Sequence, residues 1–430
     1  MRVLIVTDAF PPVCGGSGWS TFELARGLRA RGHELTIVRP RVGPGRLYLN
    51  GKASAEDVYE GFQPIGFRHW APPVPFVRNY FANERLWVAL SAFLADLIRS
   101  RGIDVVHAQH LMSGPASITA AHACGVPVVC TVRDYWPVCY WSDLIHDREV
   151  GTLCPGCSTT GMTQCVRPHA GRAWPLALPA IPYMRANLAL KRTRLSEADA
   201  VIAVSGAIAR DLRTRAPELE RTRLEIVHNP VDVIGIRALA ASLPRPMDGP
   251  YVLYVGKVEP NKGVAHLLPA ARRAKLVWPL VVVGDGSKRG RLEADARAEG
   301  PAVRFTGWLS RPDVLGWMQH ASVLVFPSHG PESLSRVLIE ASALGVPIAA
   351  MDTGGTADIV VHEQTGLLSH SAEELGEHVA RLVADPELAA RLGEGARQRA
   401  EQRFAADVVI REVERVYGEL LAVTEPVRAT

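Results

Sequence analysis

Short apolar runs alternate with stretches of helical periodicity along most of the chain, most regularly in its second half. YVLYVG (251–256), LVVVGDG (280–286), VRFTGW (303–308), SVLVFPS (322–328) and VPIAAMD (346–352) read as buried strands. The stretches 263–274, 288–299, 311–320 and 333–344 carry apolar positions at helical spacing and read as the helices between them. Nearly continuous apolar strands separated by helices predict a parallel sheet of the α/β class, in which ligands bind at the carboxyl ends of the strands. The first half repeats the pattern. RVLIVTD (2–8), ELTIVR (34–39), IDVVHAQH (103–110), VPVVCTVRD (126–134) and ADAVIAVS (198–205) are strands, and Phe22, Ala25 and Leu28 mark the first helix.

A chain of 430 residues exceeds the size at which a single core stops growing, so two domains are expected. Proline and glycine cluster at HNPVD (228–232) and SLPRPMDGP (242–250), which places the linker there. The domains are read as 1–232, with a Cys-rich insertion at 136–170, and 233–403. A last helical segment, 404–430, follows the second domain.

The carboxyl ends of the second-half strands carry Gly256, Lys257, Lys262, Gly284, Asp285, Gly286, Glu332, Gly354 and Gly355. Small residues admit a ligand to the backbone, the helix starts near Gly263 and Thr356 offer N–H groups to phosphate, and Lys257 and Lys262 add point charges for a diphosphate. Glu332 and Glu340, with seven residues between them, are set to meet a hydroxyl-rich ligand, about 12 Å apart along one helix. Two ordinary surface acids are the plainer reading of that pair. In the first half His107, His110, Arg133, Asp134 and Ser205 fall at strand ends. Cys14-Gly15-Gly16-Ser17-Gly18 has no third glycine at position 21, and no acid ends the second strand, which argues against a dinucleotide fingerprint.

YVGKVEPNKG (254–263), VVVGDGS (281–287), PESLSRVLIEASALGVPIAAMDTGG (331–355) and NPVD (229–232) resemble the C-terminal half of retaining family-4 glycosyltransferases of the GT-B fold, and residues 1–40 resemble their N-terminus. The likeness weakens between about 40 and 100. It implies two Rossmann-like domains facing a cleft, a C-terminal helix crossing back to the first domain, and transfer of a sugar from a nucleoside diphosphate sugar to a glycan, lipid-linked or small-molecule acceptor. It assigns Glu332 to the donor sugar and Glu340 to the ribose. Gly256, Lys257 and Lys262 go to the phosphates, with Gly16 facing the diphosphate and Gly284, Ser333, Leu334 and Ser335 completing the donor site. Catalysis is expected from Glu332, Lys262, Lys257 and Arg133, and acceptor contacts from His107, His110, Arg133 and Asp134. Arg133 stands where the family often has histidine. A non-catalytic nucleotide-sugar-binding subunit and a GT-B-like epimerase are the alternatives.

Charge and composition narrow the partners. Net charge is +4, too small for a uniform nucleic-acid footprint. No Asp-x-Asp pair supports a catalytic divalent ion. Cys139, Cys154, Cys157 and Cys165 have the spacing of a structural zinc site, an iron–sulfur cluster fitting less well, with reduced thiols or disulfides as the other readings. Residues 151–196 hold no acid but many Arg, Lys and apolar residues, so the segment 150–196 reads either as peripheral contact with an anionic membrane or as a core-packed helix with a basic side. With no apolar run long enough for a signal or a span, the expected location is the cytosol, at the inner face of the membrane if that contact exists.

Overall fold

A computed structural model describes residues 1–74, 76–147, 152–299 and 302–428. Two compact units emerge: Met1–Ser142, Gly156–Pro230 and Ala406–Thr430 form the first, Asp143–Pro155 and Val231–Ala405 the second. The division between them falls at Pro230 and Val231. The insertion 136–170 is divided, because Asp143–Pro155 groups with the second unit.

The first unit is built on an eight-stranded sheet in the order Leu224–Ile226, Ala200–Ala203, Val128–Val132, Val105–Ala108, Arg2–Val6, Glu34–Gly43, Ile65–Trp70, Lys52–Ala55. All neighbours are parallel except the last pair. The second has six parallel strands in the order Val303–Gly307, Leu280–Val283, Val252–Val255, Val323–Phe326, Ile348–Met351, Leu367–Ser369. Both orders reverse direction from a central strand, as doubly wound α/β sheets do. The strands are Val-, Ile- and Leu-rich because helices cover both faces.

The last helix, Ala406–Arg428, belongs to the first unit, as the expected return of the chain requires. Val409, Ile410, Val413, Val416, Tyr417 and Leu420 pack against Phe22, Leu24 and Leu28 in one core, and Gly27 lets Ile410 close onto the first helix. His107 fixes this contact chemically. Its Nδ1 lies 2.6 Å from the Tyr417 hydroxyl and its Nε2 2.6 Å from Thr131 Oγ1. With 1% of its surface exposed, His107 is a core residue rather than the strand-end ligand expected.

Three sequence expectations change. The helix over 263–274 is two 3₁₀ turns, Pro260–Lys262 and Val264–His266, before an α-helix at Leu267–Arg273. Gly263, at φ +67, breaks the run where a Cβ would overlap the Pro327 carbonyl. The helix over 333–344 spans Arg336–Ala343, because Ser335 caps it by accepting from Leu338 N. The insertion, expected to lack regular structure, carries the hairpin Ile145–Asp147/Thr152–Leu153 and the helix Thr159–Ala170, capped by Ser158.

Burial orders part of the insertion. Met162, Val166, Ile181, Met184 and Leu188 join Tyr140 in a small core of their own. Cys157 Sγ donates to the Val138 carbonyl at 3.7 Å, and Cys165 is buried on its helix. Cys139 and Cys154 are buried as well. Among the described residues no three His, Cys, Asp or Glu side chains converge as a metal site would need. The apolar side of the helix Ala180–Ser196 is spent on the same core, which favours the core-packed reading of 150–196. Arg185, Arg192 and Arg194 bond to Thr159, Glu218 and Glu197. Among the described residues no helix is long and apolar enough to cross a membrane.

Replacing Tyr417 by Phe strands one ring nitrogen of His107 in the core. The expected cost is about 1–3 kcal/mol, read as a lower midpoint in denaturant with an unchanged slope. An unchanged midpoint would show that the helix Ala406–Arg428 is held by apolar contact alone.

Candidate functional site

In the second unit the expected donor residues gather where the strands Val252–Val255, Leu280–Val283, Val323–Phe326 and Ile348–Met351 end. Gly256 and Gly284 bring two of these ends into backbone contact, since a Cβ at Gly284 (φ +135) would overlap the Gly256 carbonyl oxygen. Lys257 is exposed on the loop that follows, and its carbonyl accepts from the Tyr254 hydroxyl at 2.7 Å.

Glu332 is the centre of the constellation. Its carboxylate accepts from Lys262 Nζ, and Ser328 Oγ lies 2.6 Å from the same oxygen, Oε1. The backbone is held as well: Gly355 N donates to the Glu332 carbonyl at 2.7 Å, and Gly354, at φ +55, leaves no room for a Cβ there. The expected glycine turn thus has a definite task, which is to lock the backbone of the first acid. Glu332 is 8% exposed, so its charge is balanced locally rather than by water. Lys262, read from sequence as a cation for the diphosphate, is in this structure the counter-charge of Glu332.

Glu340, 6% exposed, accepts from Arg336 Nε at 2.9 Å and from Arg311 Nη2 at 3.2 Å. Ser333 is half-buried on the loop, Leu334 is buried, and Ser335 is the helix cap. Arg311 and Arg336 were not anticipated. The i, i+4 spacing of Arg336 and Glu340 was a legible signal for one of them. Arg311 arrives from a different helix, Arg311–Gln319, and only the fold brings it there.

The first unit presents a second rim. Gly16 opens the helix Gly16–Ala30, whose first turn has no side-chain cap, so its amides are directed outward. Burial pushes the carboxyl of Asp8 up to about 7, although it accepts from Met112 N at 3.1 Å, and the charge of Asp134 adds to the effect. Burial likewise pushes Asp134 up to about 6, against a bond from Trp136 N and the positive charge of Lys191. His110 is driven down to about 3 by burial and by the charge of Arg133, and is neutral at physiological pH. Arg133 is buried and donates to Asn229 Oδ1 at 2.6 Å and to Gln109 Oε1. Asn229, read as linker, therefore orients Arg133, while Ser205 caps the helix Gly206–Arg215. Asp8 went unselected, although a polar residue ending a buried strand was a usable signal.

Comparison with known proteins follows this geometry closely. Residues 14–233 match Glycosyltransferase Family 4, and residues 236–399 match Glycosyl transferases group 1. The chain is 26% identical to the glycogen synthase of Mycobacterium tuberculosis, over 97% of this chain and 94% of that protein. Its fold is similar to that of sucrose-phosphate synthase from Thermosynechococcus elongatus, with a TM-score of 0.69 and 21% identity over 98% of this chain and all (100%) of that one. It is also similar to Anabaena HepE, solved in complex with UDP-glucose, with a TM-score of 0.65 and 18% identity over 97% of this chain and all (100%) of that one. With two Rossmann-like units, a returning C-terminal helix and a family match spanning half its length, the chain belongs to the family-4 glycosyltransferases of the GT-B fold and is a glycosyltransferase.

Proposed function

We infer that the enzyme transfers a hexosyl group from a nucleoside diphosphate sugar, a uridine diphosphate sugar first among the candidates, to a sugar acceptor, with retention of anomeric configuration. The observation that carries this is the Lys262–Glu332–Ser328 constellation, held at the carboxyl ends of the second unit's strands by the Gly354–Gly355 turn. A carboxylate so fixed recognises donor hydroxyls by geometry. Beside it, Lys262 and the exposed Lys257 supply positive charge for the departing diphosphate, where charge develops during cleavage. Glu340, oriented by Arg336 and Arg311, accepts from the ribose diol. On the first unit Asp8, Asp134, neutral His110 and Arg133 form the acceptor rim, with Asp8 and Asp134 able to share protons near neutrality. Contact with an anionic membrane through 150–196 would rest on basic side chains alone.

A thermal-shift panel of UDP, ADP and GDP tests the donor reading, since a ligand at 100 times its dissociation constant adds about 2.7 kcal/mol. Donor hydrolysis, measured with and without acceptors, tests the transfer. No response to any nucleoside diphosphate would remove the donor assignment.

Because Lys262 and Glu332 share one contact, their variants should not add. Lys262→Ala leaves a buried carboxylate uncompensated, Glu332→Gln leaves a cation without its partner, and the double variant Lys262→Ala/Glu332→Gln relieves both defects. A coupling of about 0.5–3 kcal/mol in stability is expected. In turnover Glu332→Gln should cost at least about tenfold, or ~1.4 kcal/mol of barrier. Additive stabilities would show that the pair is not formed in solution.

Glu340→Gln weakens ribose binding without touching the departing phosphate. Its signature is a raised donor KM with kcat nearly unchanged. An equal fall in kcat and kcat/KM would place Glu340 in the transition state instead.

A further inference from the structure

The first unit carries a second polar cavity, outside the residues assigned above. It lies where the strands Glu34–Gly43 and Ile65–Trp70 end. Both run parallel to Arg2–Val6, so it opens on the same rim of the sheet as Asp8. Its volume is about 590 Å³, within the range of small-ligand sites. Arg41, Arg46, Tyr48, Glu56, Arg68 and His69 supply its polar walls.

The charge in this cavity is unbalanced. Three guanidinium groups face a single carboxylate, Glu56, which is already engaged by Arg39 at 2.9 Å and Arg41 at 2.8 Å. Among the described residues no carboxylate pairs with Arg46 or Arg68. A hydrogen bond from Arg46 holds the Tyr48 phenol below its ordinary range, and the charges of Lys52 and Arg68 act in the same direction. The cavity thus stabilises negative charge on the one neutral acid that it contains.

The cationic residues are also tethered. Arg41 and Arg68 sit opposite each other in register on neighbouring strands. Arg46 lies on the loop between them, closed by bonds from Ala71 N to the Gly43 carbonyl at 3.1 Å and from Trp70 N to the Tyr48 carbonyl at 3.2 Å. Arg39, at the edge of the group, bonds Glu56, which lines the cavity.

We propose that this cavity is an anion subsite for the acceptor, binding the phosphate monoester of a phosphorylated sugar through Arg46 and Arg68, with Tyr48 as a further hydrogen-bond donor. The proposal rests on the transferase reading above. A phosphate monoester suits the site better than a sugar carboxylate, because two planar guanidinium forks can each engage a pair of its oxygens and its second charge answers the surplus of arginine.

Calorimetric titration of the full chain with glucose 6-phosphate, inorganic phosphate, glucuronate and glucose tests this, with UDP titrated separately. Glucose 6-phosphate and inorganic phosphate should bind and glucose should not. The double variant Arg46→Gln/Arg68→Gln should weaken both phosphates by about tenfold or more while UDP affinity is unchanged. Phosphate affinities equal in the two proteins, or no phosphate binding by the unmodified chain, would overturn the subsite. Glucuronate binding as tightly as glucose 6-phosphate would overturn the choice of phosphate monoester. The UDP titration reports on the donor reading alone, so failure of one is not mistaken for failure of the other.

Discussion

A carboxylate taken out of water must be compensated where it stands, and much of the second unit is arranged around that requirement at Glu332. The compensation has three parts: a cation from Lys262, a hydroxyl from Ser328, and a backbone fixed through Gly355. Each part comes from a different strand end. The parallel sheet is what brings them to one place, since all its strands finish on the same side. Removing any one part leaves a buried charge whose penalty exceeds the modest net worth of a hydrogen bond. The same logic recurs at Glu340, with two arginines in place of lysine and serine. Ligand binding in such a site exchanges partners among groups that are already oriented.

The first unit solves a different problem with less charge. Its sheet is closed at one face by a helix that is remote in sequence, and the polar link in that contact, His107 to Tyr417, is buried between apolar residues. A neutral histidine can bond at both ring nitrogens without carrying charge into the core, and burial together with Arg133 keeps it neutral by driving it down to about 3. Toward the rim the balance reverses. Asp8 and Asp134 gain proton affinity because they are desolvated near each other, so this end of the sheet holds groups that change charge close to physiological pH.

The sheets and the positions of Glu332, Glu340 and the glycine turns were legible because they depend on local pattern: apolar runs, periodicity, and small residues after strands; the returning helix was legible only through the family resemblance. What was not legible depends on who meets whom. Nothing in the sequence pairs Lys262 with Glu332, 70 positions away, or delivers Arg311 to Glu340. His107 looked like a site residue because a polar side chain at a strand end and a polar side chain buried against a distant helix read alike. The helix over 333–344 began late because Ser335, a good cap, outcompeted the proline start that periodicity favoured.

These limits fall unevenly on the two substrates. Donor recognition is built on backbone geometry and on glycines that only one conformation accommodates, so it leaves motifs that can be read. Acceptor recognition is built from side chains on strand ends and loops, where many residue types fold equally well and only a few bind a given ligand. Arg46 and Arg68 illustrate this: among the described residues no carboxylate pairs with either, and both side chains are exposed beside an open cavity. Two exposed cations lining one cavity repel each other slightly, and a stable fold gains nothing from keeping them there. A doubly charged anion removes that repulsion, which is why the chemistry of the acceptor is the natural place to look for their purpose.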